Sequence, residues 1–104
     1  MTEKQVLRDL KDIKGYFMMI GPFKKNNSVI TPVRIMEVVN RYFKVMEQAG
    51  SDEFIVFQEI YLNGATQVDL ANFWGVSRET VKYRHKKLIK YLIESLEKEE
   101  KRNV

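Results

Sequence analysis

The chain has no cysteine, one histidine, one tryptophan and two prolines among 104 residues. Without cysteine there can be neither a disulfide nor a thiolate metal site, an absence that suits a reducing cytosol. The histidine, His85, has no second ligand at metal-site spacing, so no bound metal is expected. No apolar run approaches the roughly 20 residues that span a bilayer. The opening MTEKQVLRDLKD mixes acids with bases, where a signal peptide needs a basic end and then an apolar stretch. A cytoplasmic chain with no membrane partner is the expectation. Catalytic equipment is missing as well: there is no phosphate loop, no carboxylate cluster around the histidine and no serine beside a base. Ser77 and His85 lie more than ~10 Å apart if they share one helix, too far for a nucleophile and its base. Neither enzymatic activity nor a cofactor is expected.

Hydrophobic residues make up 44% of the chain and aromatics 12%, enough for one modest core. The net charge of +4 is unevenly placed. Between Lys44 and Trp74 one base faces five acids, whereas between Ser77 and Tyr91 six bases face Glu79 alone. A single basic element of this kind suits a polyanionic partner, although a solvated lysine-rich helix would have the same composition.

Apolar spacing is helical throughout. Val6, Leu10, Ile13 and Phe17 share one face, with Thr2 placed to cap it and Gly15 as a weak point. YFMMI either continues that helix or turns into a buried extended piece. Tyr16, Phe17, Met18, Met19, Ile20 and Phe23 then supply core or an oligomer contact, and 21–29 has the composition of a loop. Thr31-Pro32 opens a second helix with Ile35, Val39, Tyr42, Phe43 and Met46 inward, stopped by Gly50. Ser51 caps a third, dense with Phe54, Ile55, Phe57, Ile60, Tyr61 and Leu62. Thr66 and Asp69 form a capping box for a short fourth helix ending at Trp74. Gly75 breaks the chain, Ser77 caps again, and Val81, His85, Leu88, Leu92 and Leu96 mark the inner face of a fifth. Core packing of its leucines against the Thr31–Ala49 helix is favoured over dimer pairing. Trp74 fits the core with its N–H on a carbonyl, and His85 fits a packed ring. The fold class is all-α: about five helices in a single domain with a C-terminal helix-turn-helix. Residues 1–50 form a helical extension for an oligomer or polymerase contact, 51–97 the DNA-binding region, and 98–104 a frayed tail.

Two short helices joined at a glycine, the second serine-capped and basic, make a helix-turn-helix pattern. At about 100° per residue, His85, Leu88 and Leu92 fall within roughly 40° of Val81, and Glu79, Lys82, Tyr83, Lys86 and Lys90 gather opposite. Arg78 lies in the first turn, able to pair with guanine O6 and N7, while Glu79 can accept from cytosine N4. Tyr83 offers a ring edge and a hydroxyl to bases. Lys82, Lys86, Lys87 and Lys90 suit phosphates, which set register without reading sequence. Ser77 caps the helix and can share a phosphate. The expected partner is double-stranded DNA.

LANFWGVSRETVKYRHKKLIKYL (70–92) resembles the helix-turn-helix of sigma-factor region 4. Leu70-Ala71, Gly75-Val76-Ser77, Arg78-Glu79-Thr80-Val81 and the basic run ending in Leu88 and Leu92 carry the likeness. Trp74 stands where leucine is usual and His85 where an aliphatic residue is. The short form is similar to phage and prophage transcriptional regulators of the ArpU and RinA type. That resemblance implies sequence-specific control of transcription, with RNA polymerase as a further partner. Two alternatives stay open: a sigma-like adaptor or anti-sigma protein acting through protein contacts, and a small terminase subunit binding phage DNA. A homodimer is compatible with any of them.

Overall fold

Five helices and no strand make up the described residues, 1–23 and 33–102, of the computed structural model; residues 20–23 and 102 are described by backbone alone. In chain order they are α1 (Glu3–Phe23), α2 (Val33–Met46), α3 (Ser51–Phe57), α4 (Gln67–Trp74) and α5 (Arg78–Arg102). The protein is all-α, and no helix among the described residues is long and apolar enough to cross a membrane.

Local chemistry sets most helix starts. The Gln5 N–H donates to Thr2 Oγ1 at 3.2 Å and the Thr2 N–H donates to Gln5 Oε1 at 2.8 Å, a reciprocal cap on α1. The Thr66–Asp69 box on α4 closes with two 3.0 Å bonds. The third start departs from expectation. Gly50, extended at φ −65° and ψ 160°, holds the N-cap position of α3 with no side-chain bond, so Ser51 is the first helical residue and not the cap. Only four residues separate α2 from α3; α2 stops at Met46 in turns closed by Gln48 and Ala49, so Gly50 begins the next helix and is not the stop of the one before. The last turn of this helix widens over Gln58–Leu62 to π geometry, closed by Asn63 N–H on the Gln58 carbonyl at 2.9 Å.

One buried cluster draws on every helix. Val6, Leu10 and Ile13 of α1 meet Val39, Tyr42, Val45 and Met46 of α2, Val56 and Phe57 of α3, and Val81, Leu88, Leu92 and Leu96 of α5. Residues 1–23 therefore belong to the same core as 51–97. α1 runs through Gly15 without a break as far as Phe23, so residues 21–23 are helical where a loop is expected. Residues 24–29 of that expected loop and the Thr31-Pro32 helix start lie outside the described residues. Val45 is buried in place of Phe43, which keeps 37% exposure. Phe43 nonetheless packs its ring between Phe17, stacked at 5.8 Å, and Phe57, edge-on at 6.0 Å.

Three further expectations are corrected. Phe54 and Ile55 point outward at 43% and 42% exposure, because α3 is two turns long and Val56 and Phe57 occupy its inner side. α5 packs chiefly on α3, α4 and α1 and least on α2, the neighbour expected to be its main one. Residues 98–102 do not fray. α5 continues to Arg102, with Glu100 bonded to Arg41 at 2.8 Å and Glu99 beside Lys44 at 3.5 Å, both partners on α2. Residues 103–104 lie outside the described residues.

Candidate nucleic-acid interface

The turn between α4 and α5 is closed from both sides. Gly75 sits in the left-handed region at φ 67° and ψ 34°. Its N–H reaches the Asn72 carbonyl at 3.3 Å, and the Val76 N–H reaches the Ala71 carbonyl at 3.0 Å, the bond pattern of a Schellman stop. The next helix begins two residues later. Ser77 Oγ accepts from the Thr80 N–H at 3.2 Å and shares a 3.0 Å bond with the Thr80 hydroxyl. That oxygen is thus committed to the cap, and Ser77 itself remains exposed.

α5 divides as its spacing predicts. Val81, Leu88 and Leu92 are fully buried, and Ser77, Arg78, Glu79, Lys82, Tyr83, Lys86, Lys87 and Lys90 are all exposed. The outward residues are not independent of one another. Lys82 Nζ lies 3.7 Å from Glu79 Oε1, and Lys87 Nζ stands 5.7 Å from the centre of the Tyr83 ring. Two shallow grooves flank the strip. Lys86 and Lys90 meet Glu3 and Ile93 on the α1 side, and meet Glu53 and Tyr91 on the α3 side. Acids from neighbouring helices therefore border the basic strip about two turns in, while its first turn stays clear of those grooves.

The inner neighbours of this face are aromatic. His85 is half-buried, its Nε2 at 2.6 Å from the Tyr61 hydroxyl, with the two rings 5.9 Å apart. Burial holds the imidazole below its ordinary value, Glu3 pulling weakly the other way, and pushes the Tyr61 phenol up to about 12. Both are neutral at pH 7. Trp74 is half-buried at the edge of the core and not inside it, and the Arg84 guanidinium covers its ring 5.0 Å from the centre. Arg84 is consequently tied to α4 instead of pointing outward. Spacing alone does not reveal this, since Arg84 sits at the edge of the wheel.

Phe73 has no counterpart among the sequence expectations. It is 85% exposed on α4, next to the turn. LANFW is apolar almost all round, so an eight-residue helix carries no periodic signal of which side faces out. Among the described residues no group of three or more His, Asp or Glu side chains could hold a metal ion. No protein-family model matches the chain, and no curated protein or solved structure matches it either.

Proposed function

We propose that the chain is a sequence-specific DNA-binding transcriptional regulator, of phage or prophage descent, that reads the major groove with α5. The observation that carries this reading is the outward face of α5: Arg78, Glu79, Lys82, Tyr83, Lys86, Lys87 and Lys90 project from a helix capped at Ser77 and bedded by its leucines. In this scheme α4 crosses the backbone and α5 enters the groove as the second member of a helix-turn-helix. Arg78, Glu79 and Tyr83 sit at the entering end and address bases; the lysines address phosphates. The likeness of 70–92 to sigma region 4 supports the same assignment. RNA polymerase or a second subunit is the protein partner it implies.

Mobility shifts on genomic fragments at two salt concentrations test this. Arg78→Ala is expected to relax base preference at a cost of roughly 1–3 kcal/mol, and Lys86→Ala to weaken all sequences alike. Binding unchanged in both variants would count against it.

Phe73 favours a second reading, an adaptor working through protein contacts, since an 85% exposed phenylalanine beside the turn is suited to an apolar partner. Absence of duplex binding at low salt, with solubility improved by Phe73→Ser, would support that reading instead.

A further inference from the structure

α1 carries a second basic row. With Val6, Leu10 and Ile13 buried, the direction opposite them on the helix holds Lys4, Arg8 and Lys11, all within roughly 50° of it and all exposed. The acids of this helix are kept off that row. Asp9 faces α2, where Tyr42 donates to its Oδ2 at 2.8 Å, and Asp12 is half-buried on the same flank. Glu3 lies on the other flank, in the groove with Lys86 and Lys90. Among the described residues Lys4, Arg8 and Lys11 form no ion pair; the bridges there involve the N-terminus, Arg41, Lys44 and Lys82.

Position adds to charge. The start of α1 abuts the middle of α5, where Glu3 shares a groove with Lys86, Lys90 and Glu94, so the row Lys4–Arg8–Lys11 begins one residue along the helix from that groove. Seven residues of helix rise about 10 Å, about three base-pair steps along the axis of a duplex, at ~3.4 Å of axis for each phosphate of one strand.

We infer that α1 is a second DNA-contacting element, with Lys4, Arg8 and Lys11 gripping the phosphates that flank the groove occupied by α5. The inference rests on the proposed reading of α5 and deepens it. It gives the exposed side of α1 to the DNA backbone and not to polymerase or a second copy.

The test is a salt titration of the full chain on a fluorescein-labelled mixed-sequence duplex. Each phosphate contact contributes about 0.9 to the slope of log affinity against log salt. Lys4→Gln, Arg8→Gln and Lys11→Gln together should flatten that slope by about 2.7. Between about 50 and about 200 mM salt, the wild type then loses roughly 40-fold more affinity than the triple variant. Base preference, set at Arg78, should not move. The same charge removed from Lys44, Lys98 and Lys101, which lie elsewhere on the surface, should leave the slope unchanged. Circular-dichroism melts check folding, and Arg8→Gln alone, expected to flatten the slope by about 0.9, serves if the triple variant is unfolded. An unaltered slope in a folded variant, with the wild type still selecting its sites, overturns the α1 assignment and leaves the role of α5 standing. A wild type that binds no duplex even at low salt overturns both.

Discussion

His85 shows how much one side chain can report. It stands where an aliphatic residue would complete the apolar face of α5, and the fold accommodates it by hydrogen-bonding it to Tyr61 in the π turn. Burial depresses its pKa below the ordinary 6.5, so between those two values the unfolded chain holds a proton that the folded chain refuses. The sign follows: the neutral ring is no burden above 6.5, and stability falls as pH drops below it, until the folded-state pKa is passed. Denaturant midpoints should therefore decline as pH falls below the ordinary 6.5, and decline less in His85→Gln. An equal decline in both proteins would locate the effect elsewhere. Asp69, lowered by its bonds from Thr66, and Glu100, lowered by its bond from Arg41, act in a more acid window, below their ordinary 3.8 and 4.5.

At the scale of elements, the two glycines that interrupt helical patterns behave in opposite ways. Gly75 ends α4 at φ 67°, a region that disfavours any residue with a Cβ. Gly75→Ala should lower stability by about 1–2 kcal/mol, read from denaturant unfolding, even though nothing lies within 4 Å of the added methyl. Gly15 lies inside α1, exposed, and a methyl added there would also meet no atom within 4 Å. Gly15→Ala should raise stability by about 0.5–1 kcal/mol, because it removes backbone freedom from the unfolded chain at no steric cost. From sequence both look like breaks. Only one of them is, because the bonds that stop a helix at Gly75 are formed by Val76 and Ala71, whereas α1 past Gly15 is held in place by Phe17 packing on Phe43.

For the whole molecule, the decisive element is α5, which touches each of the other four helices through a line of buried leucines. Leu92→Ala should cost about 2–5 kcal/mol, a large part of the stability of a domain this size. Removing 98–104 deletes the pairing of Glu100 with Arg41 and of Glu99 with Lys44 and should shift the same unfolding curve far less. A truncation as damaging as Leu92→Ala would mean that the last turns of α5 hold α2 in place by more than their ion pairs.

How far this could be read beforehand depends on the length of each element. In α5 the helical period repeats over about seven turns, so the inner leucines and the outward set from Arg78 to Lys90 follow from spacing, whatever packs against them. The Thr66–Asp69 cap and the Gly75 turn are legible for a related reason: each depends on residues within five positions of one another. In α3 and α4, two turns each, the period is too short to choose a face. The outward turn of Phe54, Ile55 and Phe73 therefore came only with the neighbours.

The same division holds for the candidate interface. The sequence by itself determined an all-helical chain, where three of its helices, α1, α4 and α5, begin, and which side of α5 is charged, because local hydrogen bonds and the 3.6-residue period need nothing distant. Tertiary structure alone decided that Arg84 folds back on Trp74, that Tyr61 receives His85, that Glu3 and Glu53 border the basic strip, and that the start of α1 lies against the middle of α5. Each of those contacts joins side chains 10 or more residues apart, and only the packing of the shared core brings them within reach.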